Sequence, residues 1–472
     1  MFYVVRVMTK ILGGGLADMF DIAKSGIAKG DGYFSRHLSR RGLLKAGAAI
    51  GGSSTLARWF PFLKSPSANM LGQARQKTSQ NAGNVRGKMS AKTHVAVIGA
   101  GAFGGWTALY LLRRGARVTL LDAWGPGNSR ASSGGETRVM RGTYGPNQPY
   151  TKMAARATQL WKENEKSWNL KLIHQIGVLW MVPAGKNKDT DQFERGSLPA
   201  LREAGVPYQE LSAQEMASRW PQISLEGVHW GIYEPEGGFL TARIACQAVL
   251  DGFLAEGGEY KQLAVLPRDL DDGQHQWGGL SLSDGSKLQA DQYVFACGPW
   301  LGKLFPETVG NHIRPTRQEV FFFGTPAGDQ RLSDAQLPVW ADHRDRFMYG
   351  IPGNQGRGFK VADDTRGPEF DPTSGERTVT AEGLKSVRDY IGFRFPALKD
   401  APLLESRVCQ YENTPDDNFI IDRHPRRENV WLLGGGSGHG FKHGPALGEM
   451  MAGLVLEHKD AEAVFRLGRF AK

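Results

Sequence analysis

The hydrophobic pattern of residues 95–122 changes its period twice. Val95–Ile98 is a continuous apolar run, the residues after Gly104 repeat apolar positions at helical spacing, and Val118–Leu121 is a second short apolar run. Short apolar runs are typical of strands buried on both faces, whereas a 3.6-residue repeat is typical of a helix. The pattern therefore predicts a strand, a helix and a second strand.

The turn between the first strand and the helix has the sequence GAGAFG. Gly99 permits a tight turn, Gly101 leaves room for a pyrophosphate, and Gly104 allows close packing of the helix on the strand. Asp122 ends the second strand, where an acid can hold a ribose hydroxyl. Against the alternative of a purely structural glycine turn, this spacing predicts a dinucleotide site and leaves NAD and FAD both open. The candidate cofactor contacts are Gly99, Ala100, Gly101, Phe103, Gly104 and Asp122.

Runs of both kinds continue along the chain, separated by polar segments rich in glycine and proline. Strand-type runs are at 177–182, 293–300, 314–323, 347–351 and 358–362. Helix-type repeats are at 150–168, 191–204, 241–256 and 381–395. This order predicts an α/β fold in which a Rossmann-like domain is interleaved with an α+β domain built on an antiparallel sheet.

The positive charge of the chain is concentrated at its N-terminal end. The 472 residues carry a formal net charge of +10, but residues 1–92 hold 15 Lys and Arg against 3 Asp and Glu. The remaining residues hold 43 basic and 45 acidic side chains, so the body is close to neutral. This distribution argues against a nucleic-acid partner, which requires a basic surface on the folded part.

Cysteine spacing and hydropathy exclude further classes of protein. Cys246, Cys297 and Cys409 are isolated from one another. The sequence therefore predicts neither a disulfide framework nor a metal site. No apolar run reaches about 18 residues, so no membrane span is predicted.

The N-terminal segment resembles a twin-arginine export signal. Arg40 and Arg41 are followed by Leu43, Lys45 and a mildly apolar run over 46–57. We expect an export-signal-like leader over 1–60, a disordered linker over 61–92, and export to the periplasm by the twin-arginine machinery. The alternative is a short basic helix start, with the protein then in the cytoplasm.

A second glycine-rich loop narrows the choice of cofactor. The apolar run Val430–Leu433 leads into the sequence GGGSGHGFKHGP over 434–445 and then into a helix pattern. Backbone N–H groups of such a loop can stabilise negative charge on a cofactor. A reduced flavin carries that charge and a nicotinamide does not, so the loop favours FAD over NAD.

These segments define the predicted domains. We expect an FAD-binding domain made of 93–176, 240–312 and 405–472. The substrate domain is expected to consist of 177–239 and 313–404.

At this point the chain resembles the family of monomeric sarcosine oxidase and N-methyltryptophan oxidase, within the D-amino-acid-oxidase-like FAD group. The motifs that carry the resemblance are GAGAFG at 99–104, ETRVMRGTY at 136–144, FACGPW at 295–300, FK at 359–360, CQYENTPDDNFIID at 409–422 and GSGHGFKHG at 436–444. They span most of residues 93–472, and the C-terminal motifs are the most specific.

The resemblance implies roles for single residues. Arg141 and Lys442 fall where the family clamps a substrate carboxylate, and Lys360 falls where a lysine beside the flavin assists oxygen reduction. Cys409 falls where the family attaches FAD through a thioether; by itself it reads as a buried small residue. Arg138 and Tyr411 match active-site neighbours, and on a helix Arg138 and Arg141 would share one face. The flavin-facing loop supplies Gly438, His439 and Gly440, where the alternative for His439 is a purely structural hydrogen bond.

Two positions depart from the family pattern. Asp364 stands where the sarcosine oxidase type has a histidine that contacts the substrate amine, and Ser133-Gly134 replaces a histidine pair beside the flavin. The resemblance thus implies an amino-acid-like substrate other than sarcosine itself.

The leading hypothesis is an FAD-dependent amine oxidase. It would oxidise the C–N bond of an N-methyl or cyclic amino acid by hydride transfer to the flavin, with O₂ reduced to H₂O₂. Two alternatives stay open. One is a dehydrogenase that passes electrons to a quinone or carrier; the other is a non-catalytic flavin-binding protein.

Overall fold

The computed structural model describes residues 92–183, 188–266 and 276–471. The predicted leader and all but the last residue of the predicted linker lie outside the described residues. The strands are β1 (His94–Ile98), β2 (Arg117–Leu121), β3 (Thr137–Met140), β4 (Ile173–His174), β5 (Val178–Pro183), β6 (Gln209–Ser212), β7 (Val228–Glu234), β8 (Gly238–Thr241), β9 (Glu259–Lys261), β10 (Leu280–Ser281), β11 (Lys287–Leu288), β12 (Gln292–Phe295), β13 (Arg314–Phe323), β14 (Val339–His343), β15 (Phe347–Ile351), β16 (Phe359–Asp363), β17 (Leu403–Asn413), β18 (Ile420–His424) and β19 (Arg427–Gly434).

The four helix-type repeats predicted at 150–168, 191–204, 241–256 and 381–395 are helical to within a few residues. The helices are α1 (Ala102–Arg113), α2 (Gln148–Trp168), α3 (Lys188–Glu203), α4 (Ala213–Arg219), α5 (Ala242–Ala255), α6 (Leu301–Leu304), α7 (Pro306–Val309), α8 (Ala381–Arg394) and α9 (Gly444–Glu457). Local caps explain two of the starts. Ser212 and Glu215 form a capping box at α4, and the Thr380 hydroxyl accepts the Gly383 N–H at α8.

The predicted nucleotide-binding unit is the centre of a six-stranded sheet. Its strand order is β18-β19-β12-β1-β2-β9, and all neighbours pair in parallel except β18 and β19. Every residue of β1 is buried, as expected for a central parallel strand. Helix α1 is buried over Ala102–Leu111 and packs against α5 and α9. The α/β fold class predicted from the sequence is confirmed.

The second large sheet has eight strands in the order β17-β13-β16-β15-β14-β5-β7-β6. Its neighbours pair antiparallel except β14 and β5, which are parallel. Smaller sheets have the orders β3-β8-β4 and β10-β11. The predicted antiparallel domain is therefore present, with one parallel pair where the chain returns to the sheet.

The predicted domain boundary at residue 405 lies within the part of β17 that pairs with β13. This strand pairs with β13 from Leu403 to Asn413, so the boundary falls inside a strand of the larger sheet. The pairing joins the C-terminal segment, which leads into the second glycine-rich loop, to the antiparallel sheet. The exact division of the chain into cofactor and substrate segments stays a prediction.

Helix α8 covers the larger sheet and places a buried charge pair inside it. Arg394 of α8 and Asp342 of β14 are both fully buried, and the two atoms Nη2 and Oδ2 lie 2.7 Å apart. The Tyr390 hydroxyl donates to the same carboxylate oxygen at 2.9 Å. The other oxygen, Oδ1, has no hydrogen-bond partner among the described residues. Arg394 therefore provides the main charge compensation for Asp342.

Candidate functional site

The glycine turn after β1 has the geometry that the sequence predicts. Gly99 has φ +106°, a conformation that side chains rarely adopt. A Cβ added to Gly104 would lie 1.9 Å from the Gly99 carbonyl oxygen, so α1 can approach β1 only with glycine at this position. The turn places the start of α1 at a cavity that is lined by Gly99, Gly101 and Phe103. Ala100 and Gly104 shape the turn but are not among the residues that line this cavity.

Asp122 is joined to this turn by backbone hydrogen bonds. Its Oδ2 accepts the Ala100 N–H at 2.8 Å, and its Oδ1 accepts the N–H groups of Trp124 and Gly125 at 2.8 Å each. Burial raises the pKa of Asp122, and the three N–H donors oppose that rise. The carboxyl group thus fixes the turn and also lines the cavity.

The cavity has a volume of about 320 Å³ and reaches from the glycine turn to the second glycine-rich loop. We call it the cofactor cavity. Its walls include Gly101, Asp122, Ser133, Tyr411, Gly438 and Gly440. Residues about 300 positions apart therefore enclose one space, as the FAD prediction requires.

Glu412 supplies a test of whether a flavin nucleotide suits this cavity. It is 7% exposed and lines the cavity. Its Oε1 accepts the Gly436 N–H at 3.3 Å, while its Oε2 has no partner among the described residues. A buried carboxylate oxygen without a partner is costly, and a hydroxyl donor would satisfy it. FAD carries several hydroxyl groups on its ribityl chain and ribose, so the residues present suit FAD.

Glu412 also makes a prediction for the cofactor-free protein. Burial raises the pKa of its carboxyl group to about 7, with the Gly436 N–H opposing. The folded state therefore binds the proton more tightly than the unfolded state, and the stabilisation present at low pH is lost as the pH rises through about 7. A glutamine side chain cannot ionise, so the unfolding free energy of Glu412→Gln should not show this loss. When the pH is raised from 5 to 8.5, the difference in unfolding free energy between the variant and the wild type should shift by about 2–3 kcal/mol in favour of the variant.

Urea unfolding at these two pH values measures that gain. Glu369→Gln is the matched control, because the Glu369 side chain is 78% exposed. A difference between Glu412→Gln and the wild type that is the same at both pH values would contradict the prediction.

A smaller cavity of about 70 Å³ adjoins the cofactor cavity, and we call it the substrate cavity. The two share Arg138, Tyr411, Gly438 and Phe441 in their walls. The charged side chains that line the substrate cavity are Arg138, Arg141, Lys360, Lys442 and Asp364. All five predicted catalytic residues, including Tyr411, thus meet in one place beside the cofactor cavity.

Two aromatic rings fix the guanidinium group of Arg141. It lies 4.2 Å from the ring centre of Tyr144 and 5.0 Å from that of Trp180, and it donates to the Thr143 carbonyl oxygen. Arg138 lies on β3, so this pair of arginines is not on a helix, and the helical spacing does not apply. Both still line the substrate cavity. Arg141 lies just beyond the end of β3, so the alternation of side chains between the two faces of a strand does not separate it from Arg138.

Lys442 is held by a network that the sequence did not reveal. Its ammonium group donates to the Tyr144 hydroxyl and to the His439 carbonyl oxygen, both at 2.7 Å. The Tyr144 hydroxyl also lies 2.7 Å from His443 Nε2. Burial and the charge of Arg141 lower the pKa of Lys442. Tyr144 ends the ETRVMRGTY run, but only the tertiary structure shows that it touches Lys442.

Lys360 lies on β16 and is 3% exposed. Its ammonium group donates to the Thr137 carbonyl oxygen at 3.2 Å and lies 5.4 Å from the ring centre of Tyr349. Burial, followed by the charge of Arg138, lowers its pKa to about 7. A nearby anion would stabilise the protonated lysine, as expected for a cation next to a cofactor that becomes negative on reduction.

His439 and Cys409 have weaker ties to the cofactor cavity. The His439 ring lies 3.0 Å from the Asp417 carbonyl oxygen and stacks on Phe419, which matches the structural alternative, and the residue lines the substrate cavity. Cys409 is a free, half-buried thiol with Sγ 3.8 Å from Arg138 Nη2. It shares a face of β17 with Tyr411, which lines both cavities.

The described ranges contain neither a membrane-spanning helix nor a cluster of metal ligands. No helix there has the length and apolar character to cross a membrane. The same residues contain no group of three or more His, Cys, Asp or Glu arranged to hold a metal ion.

A dinucleotide-type cavity between two glycine-rich loops, next to a small cationic cavity, is the arrangement of a nucleotide-dependent oxidoreductase. Comparison with known families makes this specific. The chain belongs to the DAO family of FAD dependent oxidoreductases, whose family model matches residues 94–454. The cofactor choice of FAD over NAD is thereby confirmed.

Named relatives confirm the resemblance seen in the sequence. Monomeric sarcosine oxidase of Bacillus sp. (strain B-0618) is 30% identical over 387 residues, which cover 81% of this chain and 97% of that protein. N-methyl-L-tryptophan oxidase of Escherichia coli (strain SMS-3-5 / SECEC) is 28% identical, covering 80% of this chain and 100% of that protein. L-proline dehydrogenase from P. horikoshii shares the fold with a TM-score of 0.70 at 22% identity, covering 80% of this chain and 98% of that one.

Proposed function

We propose that the protein oxidises the C–N bond of an amino acid that carries a secondary amine, N-methyl or cyclic. The observation that carries the proposal is the substrate cavity, where four cationic side chains and one carboxyl group adjoin the cofactor cavity. Such an excess of positive charge attracts a carboxylate ligand. Two relatives are named as oxidases of sarcosine and N-methyl-L-tryptophan, and these names support a substrate with a secondary amine. Bound FAD would supply the two-electron acceptor.

The chain's own residues would hold the substrate by its carboxylate. Arg141 offers two parallel N–H donors, and its orientation is set by the rings of Tyr144 and Trp180. Lys442 adds a compact charge held by Tyr144 and the His439 carbonyl oxygen. The small volume of the cavity and its aromatic walls favour a small substrate.

A peroxide-coupled screen of N-methyl and cyclic amino acids tests this function, run beside anaerobic flavin bleaching. Bleaching with stoichiometric peroxide in air is the expected result for an oxidase. Bleaching without peroxide would instead assign the dehydrogenase that uses a quinone or carrier. If no amino acid bleaches the flavin, the result would indicate a non-catalytic flavin-binding protein.

We further propose that FAD is bound covalently through Cys409. The thiol is free, lies beside Arg138, and shares a strand face with Tyr411. The Cys409→Ser protein should release all of its flavin on acid precipitation, whereas the wild-type pellet should keep it, as absorbance of pellet and supernatant will show.

Cys246→Ser is the control, because this thiol is buried on α5 and should not affect retention. Release of flavin from the wild-type pellet would refute the covalent link.

We also infer export to the periplasm from the Arg40-Arg41 pair and the mildly apolar run after it. Twin-arginine export carries folded proteins, which suits a protein that loads FAD before it leaves the cytoplasm. Cell fractionation of the full chain and of an Arg40→Lys/Arg41→Lys variant distinguishes export from a cytoplasmic location.

A further inference from the structure

The substrate cavity has charges of opposite sign on its walls. Arg141 and Lys442 are the cations proposed to hold the substrate carboxylate, and Asp364 is the one carboxyl group among the described residues that line the cavity. A zwitterionic amino acid presents an anion and a cation two bonds apart along its backbone. The cavity is therefore complementary to both ends of such a ligand.

Asp364 is fixed from two sides. It follows β16 directly, and its backbone N–H donates to the Phe347 carbonyl oxygen at 2.8 Å. The Tyr411 hydroxyl donates to its Oδ1 at 2.5 Å. Arg141 and Lys442 act on Asp364 through their charges, without an ion pair within 4 Å among the described residues. The carboxyl group thus keeps hydrogen-bonding capacity for a ligand.

The chemistry of C–N oxidation creates a need for a proton acceptor at this place. Amino acids carry a protonated nitrogen at neutral pH, and an ammonium group has no electron pair to support loss of hydride from the neighbouring carbon. The proton must therefore leave before the C–N bond is oxidised. A group within hydrogen-bond reach of the nitrogen has to accept it.

We propose that Asp364 is the base that takes this proton, an inference that rests on the proposed function. The N–H bond of the substrate ammonium breaks, an O–H bond forms on the Asp364 carboxylate, and the electron pair stays on nitrogen. Asp364 returns the proton to solvent after the product has left. Its presence in the same cavity as Arg141 and Lys442 also makes it a determinant of specificity for ligands that carry a cation.

Other titratable groups near Asp364 are less suited to this role. Those that interact with it are Tyr349, Tyr411, Arg141, Lys360, Lys442, His343 and Asp363. The two tyrosines are buried phenols whose pKa values burial raises, so they stay neutral. Asp363 is paired with Arg346 at 2.7 Å, and His343 with Glu194 at 3.3 Å. Lys360 and His439, which line the same cavity, are the competing bases, and the experiment separates them from Asp364.

Stopped-flow reduction of the flavin in the holoenzyme under anaerobic conditions tests the proposal as a function of pH. With N-methyl amino acids, Asp364→Asn should reduce its flavin about 100-fold more slowly than the wild type near pH 7. The rate should recover as the pH rises towards the pKa of the substrate's own ammonium group, because the free amine needs no acceptor. Asp364→Glu should restore most of the rate near pH 7.

Binding of pyrrole-2-carboxylate, measured by the change in flavin absorbance, provides a readout apart from turnover. This ligand has a carboxylate and no ammonium group, so Asp364→Asn should bind it within about threefold of the wild-type affinity. A pH profile of Asp364→Asn with the wild-type shape, or an equal loss of ligand binding and reduction at every pH, would overturn the proposal. Lack of flavin reduction in the wild type at every pH would instead overturn the proposed function, and the inference with it.

Discussion

Lys360→Met is expected to slow reoxidation of the reduced cofactor by O₂ about 1000-fold, equivalent to about 4 kcal/mol of activation free energy. Lys360 is a buried cation on β16 beside the cofactor cavity. Negative charge develops when O₂ accepts electrons, and a fixed cation in a site with little water stabilises it. Methionine has a similar length and no charge, so the substitution removes chiefly the electrostatic effect. Reoxidation is measured by stopped flow after anaerobic reduction.

The pH dependence of this rate sharpens the test. The pKa of Lys360 is about 7 in the cofactor-free protein and should rise next to a negatively charged reduced flavin. The wild-type rate should therefore fall as the pH rises through the pKa of Lys360 in the holoenzyme. Lys360→Met should show no such step.

Lys385→Met is the matched control for Lys360→Met, since the Lys385 side chain is 76% exposed on α8 and pairs with Asp389 four residues on. Its rate of reoxidation should equal that of the wild type. Unchanged reoxidation in Lys360→Met would show that this lysine is not the oxygen site. Slow reoxidation in the wild type itself would point to an acceptor other than O₂.

Arg394→Met is expected to lower the unfolding free energy by about 3–5 kcal/mol. The substitution leaves Asp342 fully buried with the Tyr390 hydroxyl as a remaining donor, and Oδ1 already lacks a partner within the described part of the chain. An uncompensated buried charge is costly, whereas a buried pair replaced as a whole by apolar residues is often neutral. The midpoint of urea denaturation measures the loss.

The double variant Arg394→Met/Asp342→Leu provides the decisive comparison. It should recover most of the stability that Arg394→Met loses, because both charges are gone. Arg388→Met on the same helix is the control, since Arg388 donates to a carbonyl oxygen of Ala401 and has no buried carboxylate partner in the described part of the chain. A loss below about 1 kcal/mol in Arg394→Met would contradict the assignment.

Much of the fold could be predicted from local sequence. The period of apolar positions located β1, α1, β2, several later strands such as β5, β13 and β16, and the longer helices, because each period follows from which faces of an element are buried. A dinucleotide site could also be predicted, since a glycine turn needs its residues at a fixed spacing within one short stretch. The limit of that reasoning is visible at Arg138, which lies on a strand where only the spacing suggested a helix.

The site itself was predicted as single residues and assembled only by the fold. Asp364 and Tyr411 meet because β13 pairs with both β16, which Asp364 follows, and β17, which carries Tyr411, and this register is a property of the sheet. Tyr144, His443 and Glu412 carried no local signal for their contacts with Lys442 or the cofactor cavity.

The sequence by itself thus determined the elements, the nucleotide-binding turn and the residue types of the site, because these depend on neighbours within a few turns or strands. Only the tertiary structure decided that Asp364, Arg141 and Lys442 line one cavity, and that Arg394 neutralises Asp342. Burial and distance set the pKa values and charge balance of such groups, and both arise from contacts between segments far apart in the chain.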